Sequence, residues 1–467
     1  MGGLNRNLFL AIVAAAVGSG FQHGYHTGVI NVPQAILKDW IRTLWEDRLN
    51  SDLSDSTINV LWGVTTSIMN VGGTIGGVLS GLAATKFGPK SALFYNNFLV
   101  LIASALMCFA QLANSYAMMI LGRLVIGVNC GFNAGLCPMY LTEISPVELR
   151  GALGSVYQLL IVISILTSQI VGLEMILGND YWPVLFALSV VFAIFQVVTI
   201  FFCPESPKYL ISVKQDNQSA EKSLKFLRRS DDVNDELSAL KKEDEANKNM
   251  PKVTIKQMFR DKSLKIPLFI AMLVMVAQQF SGINIVIFYS TETFIRGGLS
   301  EENAQYATIG IGIVNLIMTV ISMILVEIAG RKTLLLVAFG GMAIDTLLLA
   351  LALHFSKENS SIPWVCIALI AIYIILFAAG AGSIPWFLVT EIFNQEARPT
   401  AVSLAVPVNW IANFIVTLTF PPIAGLIGPF VFLIFVVLNV LFFIFILKMV
   451  PETKNKTVEE IVSQWKE

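Results

Sequence analysis

"IPLFIAMLVMVAQQFSGINIVIFYS", Ile266 to Ser290, runs for 25 residues without a charged side chain. An α-helix needs about 20 apolar residues to cross ~30 Å of hydrocarbon, so the stretch is long enough to span a bilayer. It is interrupted in the middle by Gln278, Gln279, Ser281 and Asn284, where an unpartnered amide is costly. Apolar runs of the same length recur near 8–30, 60–84, 91–113, 116–140, 152–173, 182–203, 306–328, 333–355, 362–388, 399–423 and 428–449. The expectation is an all-α membrane protein of twelve transmembrane helices. The runs are continuously apolar, whereas the strands of a membrane barrel alternate over about 10 residues. The first run resembles a secretory signal in "AIVAAAVGSG", but it continues to Pro33 and eleven more follow, which makes it a span.

Composition agrees. The chain of 467 residues is 55% hydrophobic and only 13% charged, about half the charge of a soluble domain. A net charge of −1 argues against a nucleic-acid partner and leaves the lipid bilayer as the expected surroundings. With the N-terminus inside, about 25 of the Lys and Arg residues fall on cytoplasmic segments and about 5 outside, so the positive-inside rule places both termini in the cytoplasm. The five cysteines lie in or at the ends of spans with no metal or disulfide spacing. No phosphate-binding loop, metal-ligand cluster or nucleophile–base pair occurs. The sequence therefore points away from an enzyme, and no cofactor or metal is expected.

Between Pro204 and Lys265 the chain turns hydrophilic, as in "SDDVNDELSALKKEDEANKNM", and divides the spans six and six. Apolar spacing in "AEKSLKFLRRS" predicts short cytoplasmic helices there. The two halves also repeat: "KFGPK" at Lys86 answers "EIAGRK" at Glu327, "TEISPVELRG" at Thr142 answers "TEIFNQEARPT" at Thr390, and "PESPKYL" at Pro204 answers "PETKNKT" at Pro451. Each pair lies about 245 residues apart, the mark of a duplication. The expected organisation is a six-helix bundle over 1–203, a linker over 204–265, a second, pseudo-symmetric six-helix bundle over 266–449 and a cytoplasmic tail over 450–467. Parallel repeats of this kind imply halves that rock around a site at the membrane midplane.

The polar residues inside the spans suggest what that site holds. A lone Gln or Asn in a span usually ties one helix to another. Here amides accumulate: Gln158 in the fifth span, Gln278, Gln279 and Asn284 in the seventh, Asn315 in the eighth, Asn409 and Asn413 in the eleventh. A carboxamide both donates and accepts, as a neutral polyhydroxylated ring requires; a charged substrate would call for buried opposite charge. Asn409 and Asn413 share a helix face. Gln279 and Asn284 would point about 140° apart on an ideal helix, so their convergence requires a break, and Ser281-Gly282 lies between them. In the tenth span, "FAAGAGSIPWFLVTE", Gly380, Gly382 and Pro385 loosen the backbone. Trp386 and Trp410 could stack on the CH face of such a ring, although a tryptophan near a membrane end also serves as an interfacial anchor.

"GYHTGVINVPQ", "GRLVIGVNCG", "PESPKYL", "QQFSGIN", "GRKTLL", "SIPWF", "VNWIANF" and "PETKNKT" together resemble the facilitative hexose transporters, the GLUT branch of the sugar porters in the major facilitator superfamily, over nearly the whole chain. The resemblance implies a plasma-membrane uniporter with a small-molecule sugar substrate, working by alternating access. It assigns sugar contacts to Gln158, Gln278, Gln279, Asn284, Asn315, Trp386 and Asn409, and an inner-gate role to Trp410. It also assigns a cytoplasmic salt-bridge lock to Glu143, Arg150, Glu205, Glu327, Arg331, Glu391 and Arg398. Oligomeric state is not readable.

Several residues depart from the pattern of that family. Pro89 stands where arginine is usual, Ala378 where glucose carriers have glutamate, Ala381 and Ser383 replace prolines, and "MVA" before Gln278 replaces Gln-Leu-Ser. Trp386 and Asn409 look glucose-type, so glucose is the expected substrate with fructose beside it. Proton-driven relatives carry aspartate where this chain has His26, and Asp345 lies deep in the ninth span, so a proton-coupled symporter is one alternative. A carrier of another solute such as urate, a polyol or ascorbate is a second, and a non-transporting sugar receptor a third. Asn359-Ser360-Ser361 is a glycosylation sequon in a predicted outside loop.

Overall fold

The computed structural model describes residues 4–49, 52–146, 149–177, 181–249, 253–355, 361–454, 456 and 460–461, without the side chains of 49, 150–152, 154–155 and 247–249. The described residues form helices and no strand. Among the described residues, ten apolar segments are long enough to cross a membrane, and Val156–Val171 is a shorter one. The last of the ten, Arg398–Met449, is two helices, Arg398–Ile427 and Val431–Met449, separated by a turn at Gly428–Phe430. That accounts for twelve crossings. The spans carry exposed apolar side chains such as Leu82, Phe201, Ile324 and Ile344, a surface that water would not tolerate over this extent and hydrocarbon would.

The contacts divide into two units. The first comprises Met1–His26, Val71–Ser168 and Pro183–Pro251; the second comprises Thr27–Asn70, Gln169–Trp182 and Lys252–Glu467. In the first, the helices Asp55–Phe87 and Tyr116–Ile144 touch backbone to backbone. A Cβ on Gly76 would stand 2.1 Å from the carbonyl oxygen of Val128, and one on Gly131 would stand 2.2 Å from that of Gly73. Small residues are what permit such an approach between spans.

Four short helices follow the sixth span: Pro207–Ser212, Asn217–Arg228, Asn234–Asn249 and Ile255–Arg260. The predicted helix in "AEKSLKFLRRS" is the second of these. Its N-cap is Asp216, which accepts from the Ser219 amide at 3.0 Å, and it ends at Arg229 in the left-handed region with φ 50°. Ala220, Leu224, Val233, Leu237 and Leu240 form a small apolar core with Ile211. The polar linker is thus folded by an amphipathic stripe.

Candidate functional site

The seventh span breaks where the sequence requires it. One helix runs Lys262–Phe280 and the next Ile283–Arg296, joined through Gly282 at φ 105°, a conformation that favours glycine. The turn brings Gln279 and Asn284 together, and the Asn284 amide donates to Gln279 Oε1. Gln279 Nε2 donates to Asn409 Oδ1 at 2.9 Å, and Asn409 Nδ2 donates to Gln278 Oε1 at 2.9 Å and to the Met275 carbonyl at 3.0 Å. All four amides are buried.

The tenth span is broken as well. Between the helices Ile362–Leu376 and Ile384–Glu391, residues Phe377–Ala381 form a π-helical turn. Such a turn disturbs the i→i−4 ladder and leaves carbonyls in need of donors. Gln278 Nε2 supplies them, donating to the carbonyls of Ala381 at 2.8 Å and Gly382 at 2.7 Å. Gln278 therefore spends both N–H groups on backbone. Asn284 spends one N–H on Gln279, and its second N–H and its oxygen have no hydrogen-bond partner among the described residues. One acceptor position each also remains on Gln279 Oε1 and Asn409 Oδ1. The cluster is held by Gln278 and presents its spare valences at Asn284, Gln279 and Asn409.

The other predicted contacts lie differently. Asn413 does not join the cluster: its Oδ1 accepts from Asn70 at 3.1 Å and from Thr417 at 2.9 Å. Trp410 is buried, Trp386 is 38% exposed, and Asn315 is half-buried. In the first unit Gln158 is exposed beside Tyr157, whose hydroxyl bonds His23 Nδ1 at 2.9 Å. His26 is fully buried with both ring nitrogens unpartnered among the described residues, and its carbonyl accepts from Arg123 at 2.8 Å. Asp345 is buried with Oδ2 unpartnered.

The charged repeats close the same motif in each unit. In the first, Glu205 accepts from the backbone amides of Lys90 at 2.8 Å and Ser91 at 3.1 Å, capping the helix Pro89–Phe109, while Ser206 Oγ donates to Glu143 at 2.5 Å. In the second, Glu452 accepts from the amides of Arg331 at 2.9 Å and Lys332 at 3.1 Å, capping the helix Arg331–His354, while Thr453 Oγ1 donates to Glu391 at 2.5 Å. A carboxylate at a helix N-terminus meets free N–H groups and the positive end of the dipole, an interaction worth about 0.3–1 kcal/mol, more when partly buried. Gly88 (φ 91°) and Gly330 (φ 88°) let the two carboxylates approach; a Cβ would meet Glu205 Oε2 at 2.6 Å and Glu452 Oε2 at 2.7 Å.

The units differ in one cation. Arg331 grips Glu391 through Nε at 3.1 Å and Nη2 at 2.9 Å, in addition to the Thr453 hydroxyl, whereas the equivalent position in the first unit is Pro89 and Glu143 has the Ser206 hydroxyl, the counterpart of Thr453, without such a guanidinium. Glu327 lies 3.4 Å from Arg331 with its side chain 74% exposed. Arg398 donates to the Phe393 carbonyl at 3.2 Å. The Arg150 side chain and Asn359 fall outside the described residues. Glu452 was not among the expected lock residues, although its alignment with Glu205 in the repeat could have identified it.

Sequence reasoning also passed over an amide network in the first unit. Gln22 donates to Asn97 at 2.7 Å and Gln196 at 3.2 Å, and accepts from Asn129 at 3.2 Å and Asn133 at 3.1 Å. Asn96 donates to Asn133 Oδ1 at 3.0 Å and to the Asn129 carbonyl at 3.1 Å. The i,i+4 pair Asn129 and Asn133 was the available signal.

The family model described as "Sugar (and other) transporter" matches residues 11–465. The chain is 46% identical over 452 residues to facilitated glucose transporter protein 1 of Caenorhabditis elegans, covering 96% of this chain and 88% of that protein. It is 42% identical over 456 residues to solute carrier family 2, facilitated glucose transporter member 3, of Mus musculus, covering 97% and 92%. Among solved structures it is similar to the inward open conformation of the xylose transporter XylE from E. coli, with TM-score 0.81, 27% identity and coverage of 98% of this chain and 100% of that one. The proton:xylose symporter XylE bound to 6-bromo-6-deoxy-D-glucose is similar with TM-score 0.76 and 27% identity, covering 98% and 99%. The resemblance read from the motifs is borne out.

Proposed function

We propose, from the premise that the chain belongs to the sugar (and other) transporter family, that this multi-pass membrane protein carries a hexose by facilitated diffusion, glucose first and fructose beside it. The observation that carries the reading is the cluster of Gln278, Gln279, Asn284 and Asn409 at the breaks of the seventh and tenth spans. Its spare donors and acceptors are neutral and of both kinds, which suits hydroxyl groups and gives an anion or a cation no counter-charge. Asn284 is the principal handle for the sugar, Gln279 and Asn409 accept from its hydroxyls, and Gln278 positions them. Gln158, Asn315 and Trp386 enter as further contacts and Trp410 as the inner gate on the strength of the family resemblance, and Asn413 enters from the helix face it shares with Asn409. Many of the relatives are named for facilitated glucose transport, which supports the choice of substrate.

In this reading six-helix bundles over 1–203 and 266–449 expose the site alternately, in the plasma membrane, with both termini in the cytoplasm. Glu143, Arg150, Glu205, Glu327, Arg331, Glu391 and Arg398 form the cytoplasmic lock, to which Glu452 is added. Sugar shifts the conformational balance only through its differential affinity for the two states. A uniporter is favoured over a proton symporter because an imidazole, His26, takes the place of the relay carboxylate.

Purified protein in liposomes tests the proposal, with uptake of labelled glucose, fructose and urate measured with and without a pH gradient. The expected result is saturable hexose entry that ignores the gradient. Accumulation driven by the gradient would indicate a symporter, and urate flux without hexose flux would overturn the substrate.

A further inference from the structure

At the end of the second unit remote from Arg331 lies a cavity of about 510 Å³, a size that takes a drug-sized molecule. The helix Arg331–His354 links the two ends, its 24 residues rising about 35 Å. Its lining combines Lys38, Glu292, Arg296 and His354 with apolar residues that include Phe420 and Phe432. None of these belongs to the amide cluster.

The polar side has more donors than acceptors. Glu292 is the one carboxylate in the lining, and it is already saturated: Oε1 takes Arg296 Nε at 3.1 Å, and Oε2 takes Gln34 Nε2 and Lys38 Nζ, the latter at 3.5 Å. Lys38 and Arg296 thus share the one carboxylate of the lining, with Asp39 outside it adding a weaker pull on Lys38, and the same cavity is lined by aromatic rings. Burial pulls the Lys38 ammonium below the usual lysine range, with Glu292 acting against that shift, so a second anion would relieve a standing cost. The apolar wall is continuous: the rings of Tyr289 and Phe420 lie 5.2 Å apart and those of Phe420 and Phe432 6.0 Å apart. A polyol would leave hydroxyls against that wall without partners.

We propose that this cavity is a binding site for an amphipathic organic monoanion, its carboxylate held by Arg296 and Lys38 and its flat apolar body packed against Phe420 and Phe432. A bidentate guanidinium contact and a stacked ring are the recognition elements. The site is separate from the one proposed for hexose and does not depend on that reading.

Equilibrium titration of the purified full-length protein in lipid nanodiscs, with biphenyl-4-carboxylate as probe and biphenyl-4-carboxamide as its neutral twin, tests the assignment. The carboxylate is expected to bind saturably, one per chain and at least tenfold tighter than the amide. Arg296→Gln and, as an independent variant, Lys38→Gln should each weaken the carboxylate severalfold while leaving the amide unchanged. Asn284→Ala should leave both ligands unchanged. Equal binding of the two probes, or carboxylate binding indifferent to both charge-removing variants, would overturn the proposal.

Discussion

Each unit buries a knot of carboxamides, and the two knots differ in what their hydrogen bonds leave over. Around Gln22, every amide N–H of Gln22, Asn96, Asn97, Asn129, Asn133 and Gln196 has an acceptor, and only Asn96 Oδ1 is without a partner. Around Gln279, the second N–H and the oxygen of Asn284 are unspent. The first knot sits between helices that pack through glycines, away from the interruption of its sixth span at Leu188; the second sits where two spans are interrupted. Hydrogen bonds that close on one another fasten helices, whereas hydrogen bonds left open at a helix break can receive a ligand. The difference lies in unused valence, since both knots are made of the same residue types.

The largest effect is expected at the hub of the closed knot. Gln22→Ala would strand N–H groups of both Asn129 and Asn133 in a dry interior, at about 1–3 kcal/mol each. The thermal midpoint in detergent should fall further than for any other variant here, with hexose affinity in the surviving folded fraction unchanged. Next comes Gln278→Ala, which removes the donors from the Ala381 and Gly382 carbonyls and costs about 1–2 kcal/mol. Its stability should drop less than that of Gln22→Ala, and its transport turnover should fall more than its hexose affinity, because the break in the tenth span loses its tether. The smallest effect belongs to Glu327→Gln: a carboxylate 74% exposed and 3.4 Å from Arg331 contributes under about 0.5 kcal/mol, so both midpoint and flux should match the wild type. A clear loss in that variant would mean that the lock draws on exposed pairs as well as on the partly buried grip of Arg331 on Glu391.

Much of this was legible in the residues. Run length gave the spans, the repeat gave the matching charged corners, and the 140° conflict between Gln279 and Asn284 located the break that Gly282 makes. Three things were not legible from spacing within one segment. Asn409 and Asn413 share a helix face, yet a neighbouring helix captures Asn413 through Asn70, a tertiary contact that i,i+4 spacing cannot foresee. Glu452 caps a helix whose start lies 121 residues earlier in the chain. The Gln22 network draws amides from several helices; the i,i+4 pair Asn129 and Asn133 marks one face of it, but only packing shows that the others meet there.

Glucose titrations of Asn284→Ala and Asn129→Ala, each run beside a thermal melt, measure the distinction directly. The open site predicts that Asn284→Ala binds glucose about tenfold more weakly, ~1.4 kcal/mol, while melting near the wild type, and that Asn129→Ala melts lower yet keeps its glucose Kd. Unchanged glucose affinity in Asn284→Ala together with a depressed melt would make both knots mere fasteners and contradict the assignment.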